Sequence, residues 1–184
     1  MPMNADHALR NLESHFNRLL SEVVVFKSLY SNREAFELIG SHLHDLFANI
    51  QRPLIDSIVL CICRMLDPAE TCGNKNITFY YLARIIPRDQ AALLSKLNTL
   101  KAEISPLREL RNKIVGHSDL LAHTNDVIKY TGASHDEIFE TLPKITDILN
   151  FCSTIVRGSE IPYQVIDLSD GGPDALVNIL RGIR

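Results

Sequence analysis

Apolar residues recur at the spacing of one helix face through most of this chain, and this period limits its fold more than any other feature. Mid-chain, the apolar positions advance by alternating steps of four and three, at Leu93, Leu97, Leu100, Ile104 and Leu107. No segment shows the sustained alternation that a half-buried strand requires. The sequence therefore predicts an all-α fold, a four-to-five-helix up-and-down bundle with a short C-terminal extension.

Capping and helix-breaking residues predict where these helices begin and end. Helices are predicted over residues 5–30, 33–66 and 78–86, from Pro87 to about Gly116, from Ser134 to Gly158, and from Gly172 to Leu180. Pro53 should kink the second helix. Ser105-Pro106 either kinks the next long helix or begins a new one with Ser105 as its N-cap. Residues 1–160 are predicted to form one helical domain and residues 161–184 the extension, which contains a short helix.

Charge and hydropathy restrict the partners that the chain can have. The net charge of −3 argues against a general nucleic-acid binder, yet residues 84–113 contain seven basic and three acidic residues. Such a cluster is either a solvated helix face or a surface that meets phosphate. The apolar run Ile55–Met65 is too short for a bilayer, which needs about twenty residues. Without a secretory signal at the N-terminus, we expect a cytoplasmic protein with no membrane partner.

The potential metal ligands do not form a recognisable site. The four cysteines, at positions 61, 63, 72 and 152, match no zinc spacing and are predicted to be free and mostly buried. His42 and His44 cannot share a helix face, because residues two apart point in different directions. We therefore expect neither a metal nor a cofactor.

Arg111 lies on the apolar stripe itself, which makes it the strongest site candidate. An unpaired buried charge costs several kcal/mol, very roughly, so the stripe must open onto a cleft or an anion must meet the guanidinium. His117 follows six residues later, which leaves the two side chains about 120° apart on a continuous helix. They can act together if Gly116 breaks the helix, or if a two-fold dimer combines two copies of the run.

Several pieces of the sequence together resemble one family. They are Gln51-Arg52-Pro53-Leu54-Ile55-Asp56, Arg64-Met65-Leu66-Asp67, Gly73-Asn74-Lys75-Asn76-Ile77-Thr78, and Arg111-Asn112-Lys113 with His117-Ser118-Asp119. In this order, over roughly residues 10 to 157, they are similar to the abortive-infection AbiU-like branch of the HEPN superfamily (higher eukaryotes and prokaryotes nucleotide-binding). The resemblance implies a homodimeric, metal-independent endoribonuclease of toxin–antitoxin or antiphage type, with RNA as substrate and a cognate antitoxin protein as a further partner.

The resemblance also implies roles for individual residues. His117 would be the acid–base group, and Arg111 would bind the phosphate and stabilise its charge. Asn112 would orient either the phosphate or His117. Lys113 would support the site, although Glu109 four residues earlier makes an ordinary surface pair equally consistent with its position. Asp119 would orient the His117 ring or cap the helix end.

Two polar residues, Asp56 and Arg64, interrupt the apolar second helix. They are either partners of the site residues or a structural pair.

The sequence also leaves two alternatives to an RNase. The first is a non-catalytic helical module that binds RNA, nucleotide or a partner protein through the same cleft. In the second, the Arg/His run is purely structural and Arg111 pairs internally with a carboxylate such as Asp56.

Overall fold

The structure, a computed structural model, describes residues 4–112, 135–163 and 172–182. Its helices are α1 (Ala5–Phe26), a π-helical turn (Lys27–Ser31), α2 (Arg33–His42), α3 (His44–Met65), α4 (Phe79–Ile85), α5 (Gln90–Glu103), α6 (Ser105–Leu110), α7 (His135–Arg157) and α8 (Pro173–Arg181). Within the described ranges, the strands are β1 (Glu70–Thr71) and β2 (Asn74–Lys75), which pair antiparallel as a small hairpin. The all-α prediction is confirmed.

The predicted single helix over residues 33–66 is wrong, because the backbone leaves helical geometry at Leu43 (φ −138°, ψ 30°). This break lets both α2 and α3 contribute to one buried apolar cluster, in which Leu38 and Ile39 meet Phe47 while Leu43 packs at the edge. Burial of several apolar side chains outweighs the loss of one regular helical residue. Pro53 lies inside α3, and the kink predicted there stays a prediction.

The two alternatives at Ser105-Pro106 resolve in favour of a new helix. Ile104 (φ −85°, ψ 16°) ends α5 and also caps α6, so the N-cap lies one residue before the predicted Ser105. Pro106 is tolerated in the first turn of α6 because backbone N–H groups there have no partner within the helix. Other predicted ends are confirmed: the Thr78 hydroxyl accepts a hydrogen bond from the Tyr81 N–H at 3.2 Å, and Gly158, with φ 80°, follows α7.

The chain forms two compact units, of which the first comprises Met1–Phe16 and Val59–Tyr163. In this unit α5 packs against α4 and α7. The core includes the fully buried residues Leu9, Leu12, Phe16, Ile62, Phe79, Leu82, Leu93, Leu97, Ile145 and Leu149. The apolar stripe expected from the sequence is buried along its whole length, at Leu93, Leu97, Leu100, Ile104 and Leu107. The predicted domain boundary at residue 160 stays a prediction.

The second unit comprises Asn17–Ile58 and Gln164–Arg184. Here α8 packs on α2 and on the π-helical turn, and it buries Val177 and Leu180. The Arg181 guanidinium donates two hydrogen bonds to the Glu34 carboxylate, at 2.9 and 2.8 Å. The short helix predicted in the extension is therefore present, and it is attached to α2.

Among the described helices, α3 is long and apolar enough to cross a membrane by length and composition alone. Its most apolar window has a mean hydropathy of 1.4, and 28% of that window is buried within the chain. Core helices of soluble proteins pass the same test, so one such helix is a weak indication of a membrane span.

All four cysteines are free, as predicted, although burial separates them into different classes. Cys63 and Cys152 are buried, Cys61 is partly buried, and Cys72 is exposed on the β-hairpin. Burial raises the pKa of Cys63 to about 11 and that of Cys152 to about 12. Both buried thiols are therefore protonated at neutral pH and are poor nucleophiles.

Candidate functional site

Arg111 is neutralised inside the protomer by a carboxylate from a distant part of the chain. Its Nη1 donates to Asp67 Oδ1 at 2.7 Å, and its Nε donates to the Asn112 side-chain oxygen at 3.0 Å. The Arg111 and Asp67 side chains are 18% and 25% exposed. The charge on the apolar stripe is thus compensated by an ion pair at the edge of the first unit.

Asp67 reaches Arg111 from the turn after α3, which ends at Met65, two residues earlier. The Leu66 and Asp67 N–H groups bond to the carbonyls of Cys63 and Arg64, at 3.1 and 3.3 Å, which closes the last turn. Pro68 then disfavours helical geometry for Asp67. Leu66 is fully buried, which fixes this turn against the core.

The predicted internal partner, Asp56, is not the one that Arg111 uses. Asp56 belongs to the second unit, where it lies 3.7 Å from Arg52, four residues earlier on α3. The expectation of an Arg111–Asp56 pair is corrected to Arg111–Asp67, a contact across 44 residues of sequence. Sequence reasoning used Asp67 only as a helix stop and as part of a motif, and it missed this pairing.

A cleft of about 390 Å³ opens beside the ion pair, and we call it the arginine cleft. It is lined by Leu60, Arg64, Asp67, Pro68, Thr71, Arg108, Arg111 and Asn112. Three arginines thus face one aspartate, which is already paired with Arg111. Among the described residues, no carboxylate lies within ion-pair distance of Arg64 or Arg108. The cleft therefore has a net positive charge that an anion can neutralise.

Cys63 lies behind the arginine cleft. Burial raises the pKa of its thiol, and the positive charges of Arg111 and Arg108 act in the opposite direction without overcoming the burial. The thiol stays protonated near pH 7, so the site offers cationic binding groups rather than a cysteine nucleophile.

The structure brings together three of the residues singled out from sequence. Arg64, Arg111 and Asn112 line the arginine cleft. Lys113, His117 and Asp119 lie outside the described residues. Sequence analysis placed Arg108 in the basic cluster of residues 84–113 but not among the site residues, although it lies three residues before Arg111, a spacing that puts two side chains on one helix face. Thr71 was missed.

In the parts of the chain that the structure describes, no three His, Cys, Asp or Glu side chains are grouped closely enough to hold a metal ion. The residues that line the arginine cleft supply guanidinium, amide and hydroxyl groups together with the Asp67 carboxylate.

The chain was also compared with known proteins. The family model described as AbiU2, a HEPN family, matches residues 9–171, which is most of the chain. Searches of curated proteins and of solved structures returned no match. The match includes the whole arginine cleft and parts of both compact units, and it ends before α8. This chain belongs to the AbiU2 family of HEPN domains.

Proposed function

We propose that this abortive-infection HEPN module is a metal-independent endoribonuclease that acts in the cytoplasm and binds RNA in the arginine cleft. The observation that carries the proposal is the arginine cleft itself, where three guanidinium groups face one already paired carboxylate. Phosphodiesters are the anions that such a group of arginines binds best, because planar guanidinium groups match phosphate oxygens in pairs. Family membership supports the same substrate class.

Cleavage in this proposal uses the 2′-hydroxyl of the RNA as its nucleophile. His117 accepts the proton as the 2′-oxygen bonds to phosphorus, and the bond from phosphorus to the 5′-oxygen breaks. The leaving oxygen takes up a proton from an imidazolium, so the products are a 2′,3′-cyclic phosphate and a 5′-hydroxyl. No metal enters these steps, because histidine titrates near neutral pH and arginine stabilises the added negative charge.

Arg111 is the phosphate-binding residue, and Asp67 acts through it as a positioning residue. The Asp67 carboxylate accepts a hydrogen bond from Nη1 of the guanidinium, and the Asn112 side-chain oxygen accepts one from Nε. Together they hold the guanidinium in one orientation. In the described part of the chain, Nη2 has no hydrogen-bond acceptor. In this proposal, Nη2 binds a phosphate oxygen while the ion pair with Asp67 is kept.

The complete site is a composite of two copies of the chain. Arg111 and His117 are six residues apart, a spacing that separates side chains by about 120° on one continuous helix. A two-fold dimer places the Arg111 of one copy near the His117 of the other. Lys113 and Asp119, in the same run, support this shared site, and a cognate antitoxin is the partner expected to cover it.

The direct test is RNA cleavage by the purified full chain in the presence of EDTA. We expect cleavage of single-stranded or looped RNA, with 2′,3′-cyclic phosphate at the new 3′ ends and a dimer in sedimentation equilibrium. Chemical identification of the RNA ends separates this mechanism from metal-dependent hydrolysis. A strictly monomeric protein, or cleavage that EDTA abolishes, would contradict the proposal.

Asp67→Asn is expected to slow cleavage without weakening RNA binding. Asparagine keeps the shape but removes the charge that holds the guanidinium, so kcat should fall about tenfold. KM should stay the same or decrease, because the arginine cleft gains net positive charge. Steady-state kinetics measure both constants, with Asp89→Asn as the control, since Asp89 lies 3.7 Å from Arg88 on the surface. If Asp67→Asn and Asp89→Asn changed kcat equally, Asp67 would not be a positioning residue for Arg111.

The second candidate is a non-catalytic module that binds RNA through the same cleft. One observation favours it: Asp67 already occupies a donor of Arg111, as in an ordinary structural ion pair. In that case, the wild-type chain would bind RNA with an affinity that depends on Arg111, and no RNA would be cut under any condition. The cleavage assay therefore decides between the two candidates.

A further inference from the structure

A second hollow lies beside the arginine cleft in the first unit, and we call it the Tyr80 hollow. It has a volume of about 320 Å³ and is lined by Pro68, Ala69, Tyr80, Ala83, Arg84, Gln90, Leu94 and Lys101. Pro68 also lines the arginine cleft, so the turn after α3 forms a wall common to both. The volume falls within the range of small-ligand sites, about 300–1,000 Å³.

The Tyr80 hollow combines an aromatic ring with cations and contains no acidic side chain. Lys101 Nζ lies 5.1 Å from the centre of the Tyr80 ring, and Arg84 is exposed at the wall. The Tyr80 hydroxyl donates to the Asn98 side-chain oxygen at 2.9 Å, which holds the ring in place. Leu94, 38% exposed, adds an apolar surface. The function derived above uses none of these residues.

The charge of Arg108, a residue of the arginine cleft, influences Tyr80 in the neighbouring hollow. Burial raises the pKa of Tyr80, and the positive charge of Arg108 acts in the opposite direction. Arg108 lines the arginine cleft, so its charge reaches from one hollow to the other. A polyanion that occupies both hollows would meet Arg64, Arg108 and Arg111 in the arginine cleft and Arg84 and Lys101 in the Tyr80 hollow.

A third hollow, which residues of α5 and α6 also line, is acidic. It is lined in part by Glu103, Glu137, Glu140 and Lys144, it measures only about 100 Å³, and Lys144 is already bonded to Glu103 at 2.7 Å. A phosphate would be repelled there. Of the Tyr80 hollow and this acidic hollow, only the Tyr80 hollow is suited to a nucleic-acid backbone.

We propose that the Tyr80 hollow binds a nucleotide of single-stranded RNA next to the one whose phosphate meets Arg111. The base contacts Tyr80 and Leu94, while Arg84 and Lys101 bind the neighbouring phosphate. An aromatic ring flanked by cations binds single strands of varied sequence, because every base has a π-face. Paired bases in a duplex cannot offer that face. The inference rests on the proposed RNA-binding function of the arginine cleft.

The experiment measures binding of a fluorescein-labelled, single-stranded octamer whose 2′-O-methyl groups prevent cleavage. Tyr80→Leu should weaken binding about tenfold, whereas Tyr80→Phe, which keeps the ring, should stay within about twofold of wild type. Arg84→Ala should lower the slope of log affinity against log salt by roughly 0.7, the value for one phosphate contact on a single strand. Arg88→Ala, the control for loss of charge nearby, should leave the slope unchanged. Arg84 is exposed, so its variant tests the inference even if Tyr80→Leu unfolds.

The outcomes separate this inference from the proposed function. If Arg111→Ala weakens octamer binding while the Tyr80 and Arg84 variants bind like wild type, the Tyr80 hollow is not part of the RNA path and the arginine cleft remains the site. If the wild-type chain neither binds the octamer nor cuts RNA, both proposals are overturned. Loss of affinity in Tyr80→Leu and Arg84→Ala, with the two controls unchanged, supports the inference.

Discussion

Arg111→Ala is expected to lower the rate of RNA cleavage by about 100- to 1,000-fold, the usual loss when one group that stabilises transition-state charge is removed. The guanidinium of Arg111 is held by Asp67 and Asn112, so under the proposed mechanism it needs no reorganisation when the phosphate acquires charge. Alanine removes this charge from the arginine cleft and leaves Asp67 facing it. His117→Ala should cause a similar loss, because proton transfer contributes about 100- to 10,000-fold.

A more conservative substitution tests whether geometry or charge matters. Arg111→Lys keeps the charge but cannot make paired hydrogen bonds to a phosphate, so it should recover only part of the lost rate. Single-turnover cleavage of a labelled RNA measures the chemical step, and circular dichroism confirms that each variant is folded. Cleavage at the wild-type rate by the Arg111→Ala, His117→Ala double variant would end the assignment of both residues.

Arg157→Met should destabilise the first unit by about 2–3 kcal/mol, somewhat less than the loss when a fully buried ion pair is broken. Arg157 donates two hydrogen bonds to Glu13, at 2.6 and 3.0 Å, and one to Asp6 at 2.7 Å. The Glu13 side chain is 13% exposed, and from the described residues it would keep the hydrogen bond that Tyr163 donates. Methionine preserves the apolar part of the arginine, so the change reports mainly the lost charge.

Urea unfolding at pH 7 measures this difference, with Arg33→Met as the matched control. Arg33 also forms an ion pair with a glutamate, Glu37, but both side chains are largely exposed, so about 0–0.5 kcal/mol is expected. Equal losses in the two variants would show that the Arg157 network contributes no more than a surface pair.

The same network predicts a dependence of stability on acid pH. The Arg157 hydrogen bond, followed by that of Arg10, lowers the pKa of Asp6 below its ordinary value of 3.8. This contribution to stability is therefore present above the ordinary value and is lost as the pH falls through the lowered one. Arg157→Met should reduce that loss, which urea unfolding between pH 5 and 2 would detect.

Local sequence patterns predicted the helices well where the determining interactions are local. The residue pattern up to Gly158 predicted α7, and the Asp67-Pro68 pair predicted the end of α3. The break at Leu43 carried no such pattern. It depends on the cluster that joins Leu38, Phe47 and Val177, and Val177 comes from the far end of the sequence.

For the candidate site, too, some features were predictable from local sequence and others depend on tertiary packing. Local patterns were enough to predict that the chain is helical and that Arg111 does not fit its apolar stripe, because helix period and capping act over a few neighbouring residues. The pairing of Arg111 with Asp67 rather than Asp56, and the cleft that it shares with Arg64 and Arg108, follow from tertiary packing. Ion pairs and clefts join residues that are distant along the chain, so their partners depend on how helices pack, which no local spacing encodes.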